Sequence, residues 1–220
     1  MLPDSLYREA LRTSRGFAAS ARLKSRRQQS DTAEYNEFGE PISVGFLANR
    51  SGVHSIGSLP GLENSQPFAI NSRGIIVGRA YNNAEDPSRP FDNRAFVWDH
   101  GVMRDIGTLG GAIAEAFGVN DAGSTVGGSR TATDEPHAFL YENGLMHDLG
   151  TLGGSFSQGR SINKQGQIVG RSELADGQQH AFLYEHGVMR DLGTLGGTFS
   201  RAEFINNRGD IRRRFGDCRR

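Results

Sequence analysis

The chain has 220 residues, 25 Lys and Arg against 25 Asp and Glu, and a single cysteine, Cys218. One cysteine excludes an internal disulfide and any multi-cysteine metal site, and no stretch approaches the ~18 consecutive apolar residues of a membrane-spanning helix. The zero net charge hides a separation: residues 1–30 carry +5, residues 31–211 carry −9 and the last nine carry +4. An acidic body argues against nucleic acid as a partner.

Residues 1–40 read as a basic leader. Asp4 can cap a short helix carrying Leu6, Tyr7, Ala10 and Leu11; otherwise the segment is expected to be disordered. Arg8, Arg12, Arg15 and Arg22 interrupt what would have to be the apolar core of an export signal. As written, the chain has no signal peptide and reads as cytoplasmic.

From residue 41 the composition changes. The segment Arg94-Ala-Phe-Val-Trp-Asp-His-Gly-Val-Met-Arg-Asp-Ile-Gly-Thr-Leu-Gly-Gly111 returns 43 residues later from His137 and again from His180. Residues 137–168 and 180–211 share 21 of 32 positions. A fixed period near 40 residues marks a modular array. The 30 glycines, about twice the ordinary share, fall at regular turn positions within it.

Residues 155–192 show one module. A polar-apolar run, Ser155 to Asn163, leads into the turn Asn163-Lys-Gln-Gly166. The β-branched run Gln167–Ser172 follows, then the polar loop Glu173–Gln179, His180–Glu185, a turn ending at Gly187, and Val188–Leu192. Asn143-Gly144, at the last turn of the preceding copy, is the strongest short hairpin signal. In the third run, Ala138 and Leu140 point one way and Phe139 and Tyr141 the other. A strand apolar on both faces belongs inside a stack of sheets. The expected fold is all-β: a propeller-like array of four-stranded antiparallel blades, with a β-solenoid as rival.

The copies are unequal. Gly45–Ala48 and Ser55–Gly61 look like worn third and fourth strands, so the array over 41–211 counts half a blade (43–57), three full blades and half a blade (198–211). Six extra residues fall in the loop Tyr81–Asn93. At the end, Asp210-Ile-Arg-Arg-Arg-Phe-Gly216 replaces the expected Gln167-Ile-Val-Gly-Arg pattern, and three arginines do not alternate into a core. Residues 212–220 are therefore expected to be a disordered basic tail and the array to be partial or truncated. An open terminal blade would offer an unpaired edge for self-association.

The phrases His-Ala-Phe-Leu-Tyr at 137–141 and 180–184, Met-x-Asp-Leu-Gly-Thr-Leu-Gly-Gly, and Ile-Asn-x-x-Gly-x-Ile-Val-Gly together resemble the HAF family of bacterial extracellular repeats. The resemblance covers about residues 43–211. It implies a repeat protein of the cell exterior or periplasm, most members of which have no assigned activity. Arg94 in place of the first His, the lack of a visible export signal and the short array depart from that pattern.

Candidate site residues follow from the repeats. Asp105, Asp148 and Asp191 each precede the Gly-Thr-Leu-Gly-Gly loop, where a carboxylate can accept backbone N–H bonds and hold the loop, or, in a functional reading, form a ring binding cations or sugar hydroxyls. His137 and His180 begin matching strands and would line a ligand channel, although Arg94 in the same place argues that no proton or metal chemistry needs them. Thr-Leu-Gly-Gly lacks the Gly-Lys-Ser/Thr of a phosphate loop. Asn120–Gly123 lacks the spacing of a calcium loop, Phe156–Gly159 is not a nucleophile elbow, and Arg208-Gly-Asp210 sits at a turn that carries Gly in every copy.

No catalytic residue, metal site or cofactor is therefore assigned. The expected function is a non-catalytic scaffold binding a protein or glycan ligand. The alternative is a carbohydrate-active hydrolase or lyase on a β-propeller, which would need an unrepeated acid, base or nucleophile. If a frameshift truncates the array, another reading frame past codon 211 encodes a further repeat; sequencing the gene would show no such repeat if the idea is wrong.

Overall fold

The computed structural model describes residues 42–49, 52–82 and 90–216. The leader expected over 1–40 lies outside the described residues. Sixteen strands and no helix make up the described chain, which is all-β. It follows that no helix among the described residues is long and apolar enough to cross a membrane, a statement that does not bear on β-barrels.

The strands fall into several antiparallel sheets. β1 (Gly45–Asn49) and β2 (Gly52–Gly57) form a hairpin. β3 (Asn64–Ile70), β4 (Ile76–Tyr81), β5 (Asn93–Asp99) and β6 (Val102–Asp105) form the first four-stranded antiparallel unit. β7 (Gly110–Val119), β8 (Thr125–Thr131), β9 (Pro136–Glu142) and β10 (Leu145–Asp148) form the second. A single parallel bridge, Asn93 to Ile113, joins these two units into one eight-stranded sheet. β11 (Gly153–Ile162), β12 (Ile168–Leu174), β13 (Gln179–Glu185) and β14 (Val188–Asp191) form the third. β15 (Ser200–Ile205) pairs β16 (Ile211–Phe215). No strand ladder links β1–β2 to β15–β16, so no closed sheet forms among the described strands.

Turn chemistry sets the boundaries. At the last hairpin of each unit, His100-Gly101, Asn143-Gly144 and His186-Gly187 all have positive φ, as a type I′ turn requires of both central residues. Each Asn-x-x-Gly turn ends on a glycine with φ between 81° and 94°, a region in which a side chain is strained.

The core is not inside any unit but between units. Ala95 and Val77 of the first unit meet Ala114, Ala116 and Phe139 of the second. Ala138 and Val126 of the second meet Ile162, Ile168 and Phe182 of the third. Phe96 and Ile76 turn back toward Ile56 and Leu59 beside the first hairpin, while Ala181 and Val169 meet Ala202 and Ile205. The repeated Ala-Phe pair is thus a two-sided joint: Ala forms a socket for the following unit and Phe is the knob into the preceding one. Phe96, Phe139 and Phe182 are all fully buried.

A repeated serine ties the joints together. Ser157 accepts the Ala138 N–H (2.7 Å) and donates to the Gly150 carbonyl (2.5 Å). Ser200 does the same for Ala181 and Gly193, at 2.8 and 2.6 Å. Ser65 does so for Gly45 and Gly57 at the first hairpin, at 2.9 and 2.5 Å. In β7 this place is held by Ala114, which is buried and has no hydroxyl to offer.

The end of the array corrects one boundary. β16 continues to Phe215, so residues 212–215 are strand and not tail. The arginines do alternate: Arg212 and Arg214 are exposed, while Ile211, Arg213 and Phe215 are half-buried. β16 has a neighbouring sheet on one face, so only every second residue needs to suit a packed interior, and Arg213 meets that need by donating to the Leu192 carbonyl (2.7 Å).

Two substitutions test the joint. Phe139→Ala is expected to cost about 3–5 kcal/mol, the range for emptying a buried aromatic site. Ala114→Ser is expected to add about 0.5–1.5 kcal/mol by supplying the missing bridge. Urea unfolding midpoints check both, and a midpoint lowered by Ala114→Ser would contradict the serine's role.

Candidate functional site

The first strand of each unit carries an irregularity in the same place. Pairing of β3 with β4 runs from Pro67–Gly78 to Ala69–Val77 and skips Phe68. β7 skips Phe117, β11 skips Arg160 and β15 skips Glu203 in the same way. Each is a β-bulge, which leaves one residue unpaired and re-aims its side chain.

The opposite strand is built to accept this. A Cβ at Gly78, Gly127 or Gly170 would overlap the carbonyl oxygen of Gln66, Glu115 or Gln158, two residues before each bulge. At Gly127 and Gly170 it would also press on the Phe139 and Phe182 rings. The Ile-Val-Gly motif of the second strand is therefore the counterpart of the bulge, and its glycine is required by close approach of backbone.

The four bulged residues line one groove of about 480 Å³, within the usual size of small-molecule sites. Phe68 and Phe117 stack at 5.2 Å between centroids. The Arg160 guanidinium lies 4.7 Å over the Phe117 ring, and its Nη2 is 3.7 Å from Glu203 Oε2. Glu203 Oε1 also lies 2.5 Å from Arg201 Nε, an ion pair in which neither atom makes a hydrogen bond. The groove thus grades from an aromatic end to a charged end.

An asparagine ladder forms one rim. Asn71, Asn120, Asn163 and Asn206 each use Oδ1 to accept the N–H groups of the residues two and four ahead. Nδ2 then reaches the next copy: Asn71 donates to the Asn120 carbonyl (2.8 Å), Asn120 to Asn163 (3.2 Å) and Asn163 to Asn206 (3.2 Å). Asn206 instead donates to Asp210 of its own turn (2.8 Å). Beside the ladder, Asp121 accepts the Ser72 hydroxyl (2.7 Å) and N–H (3.0 Å). Those two bonds hold the Asp121 carboxyl below its ordinary pKa, the hydroxyl contributing most.

The residues singled out from the sequence lie elsewhere. Asp105, Asp148 and Asp191 each accept the N–H of the glycine two residues on, at 2.7–2.8 Å, and those glycines have φ of 64–82°. His137 Nδ1 is 2.8 Å from Asp148 and His180 Nδ1 is 2.9 Å from Asp191. Arg94 instead donates to Asp92 (2.6 Å), and chiefly that bond raises its pKa. The structure thus pairs the sequence candidates in the second and third units, where His137 meets Asp148 and His180 meets Asp191, but places none of the five on the groove. Among the described residues, no three His, Cys, Asp or Glu side chains gather to hold a metal ion.

The groove residues were missed because the copies were compared for what they share. A signal did exist: in Pro67-Phe-Ala-Ile70, Ala116-Phe-Gly-Val119, Gly159-Arg-Ser-Ile162 and Ala202-Glu-Phe-Ile205, the second position changes chemical class while the fourth stays aliphatic.

Asn120→Ala is expected to cost about 1–3 kcal/mol, since it strands buried backbone groups. It should also speed amide exchange at Ala122 and Ser124. Unchanged exchange at both amides would show that the side chain is not their acceptor.

Comparisons of this chain with protein-family models, curated proteins and solved structures found no match, so the resemblance to the HAF repeats rests on the motifs quoted above.

Proposed function

We propose that this chain is a non-catalytic β-repeat scaffold that binds a ligand in the groove lined by its bulged residues. The observation that carries this reading is the coincidence of three properties at Phe68, Phe117, Arg160 and Glu203. They are unpaired in the ladder, they share one groove, and they are among the positions whose chemistry changes along the array. Groove positions that vary over a repeated frame are the arrangement expected of a recognition surface on a repeat protein.

The groove carboxylates support binding over catalysis. Asp121 is engaged by Ser72, and Glu203 is shared by Arg160 and Arg201. Neither is set up as the proton-accepting partner of a nucleophile. The unrepeated acid on the row is Glu203, and its carboxylate is taken up by Arg160 and Arg201, which favours binding over the hydrolase or lyase reading.

The arrangement we propose for the units is propeller-like. Supporting it are four-stranded antiparallel units packed through shared cores, with the first strand of each unit lining a common groove, the place of the innermost strand of a blade.

A glycan array followed by calorimetry tests the reading. The wild-type chain should bind a ligand without turning it over, and the pair Phe68→Ala and Phe117→Ala should abolish binding with the circular dichroism spectrum unchanged. Ligand hydrolysis or elimination that survives purification, or binding indifferent to both phenylalanines, would overturn it.

A further inference from the structure

The charged end of the groove has more cation than anion to meet it. Arg160 and Arg201 share the Glu203 carboxylate, one on each oxygen. Lys164 lines the same end and makes no ion pair among the described residues. Just behind, Arg171 stacks on Phe156 at 4.8 Å and reaches Gln158 Oε1 at 3.4 Å. Burial, then the neighbouring charges of Arg160 and Arg201, lower the pKa of Arg171. The second groove acid, Asp121, is already held by Ser72. An anion entering here gains charge-assisted hydrogen bonds and relieves like-charge crowding.

The aromatic end calls for a different partner surface. Phe68 and Phe117 form a half-buried tilted pair, 37° apart, with Arg160 over Phe117 and Arg79 over Phe68; the apolar ring surface left toward the groove suits the C–H groups of a sugar ring. A peptide strand is the less favoured occupant. Strand addition needs a regular run of unpaired N–H and C=O groups, and a bulge in β3, β7, β11 and β15 breaks that regularity in each first strand.

We propose that the groove binds an acidic glycan, with a sugar ring against Phe68 and Phe117 and a uronate-type carboxylate against Arg160 and Lys164. This deepens the binding reading of the preceding subsection and rests on it. In this arrangement the bulge residues divide the work: the phenylalanines hold the sugar irrespective of charge, and Arg160 selects the acid. Glu203 positions Arg160.

Calorimetry on the full chain with trigalacturonate, its fully methyl-esterified form and inorganic sulfate tests the assignment. Trigalacturonate should bind, more weakly as salt is raised. The methyl ester and sulfate should each bind more weakly by about tenfold or more, the size of one charge-assisted hydrogen bond. Arg160→Gln should weaken the acid by a similar factor and leave the ester unchanged, whereas Phe117→Ala should weaken both sugars. Arg190→Gln, on β14 and paired with Glu185 away from the groove, should leave acid binding as in the wild type. Equal affinity for acid and ester, or for sulfate and acid, overturns the proposal, as does an Arg160→Gln variant that binds the acid normally. If a different ligand binds and is lost with Phe68→Ala and Phe117→Ala, the acidic-glycan assignment falls while the binding reading stands. If its binding survives both substitutions, the binding reading falls too.

Discussion

Each four-stranded unit of this chain has two apolar faces and no core of its own. Its buried side chains are completed only by the units on either side: Phe139 by Ala95 and Val77 before it, Ala138 by Phe182 after it. The hydrophobic effect therefore acts between copies and not within them. The period of the sequence is the period at which a joint must be remade. Most of the repeated residues follow from that one demand.

The demand reaches as far as the groove. A knob phenylalanine on the third strand needs space beside the second strand, and a glycine there provides it. The same glycine lets the carbonyl of the first strand come close at Gly78, Gly127 and Gly170. That approach accompanies a bulge, which turns the next-but-one side chain out of the ladder. Packing thus fixes where the groove residues sit, but not what they are. The buried joint accommodates Phe, Phe, Arg and Glu in turn because these side chains lie outside its cores. A scaffold organised this way can vary its ligand without refolding.

Much of the frame was legible before any coordinates. Strand boundaries, the paired positive φ at Asn143-Gly144 and the loop-holding role of Asp105, Asp148 and Asp191 are local, and local patterns encode them. The bulges were not legible, because a bulge is a mismatch in register between two strands and neither strand alone records it. The Asn ladder was half legible. The capping by Asn163 Oδ1 is visible in Asn-x-x-Gly, but the reach of its Nδ2 to Asn206 spans 43 residues. The arginines of β16 were expected not to alternate into a core, but Arg213 does so between half-buried Ile211 and Phe215 by donating to the Leu192 carbonyl, a partner 21 residues away that the local pattern does not record.

The central claim is that constant positions carry the fold and bulged positions carry recognition. Unfolding midpoints for full sets of substitutions at Gly127 and at Phe117 test it most directly. At Gly127 every side chain should be strongly destabilising, by about 1–3 kcal/mol or more from overpacking. At Phe117 the set should cluster within about 1.5 kcal/mol of wild type, the size of a lost aromatic pair. A tolerant Gly127, or a Phe117 as intolerant as a core position, would contradict the division on which the functional account rests.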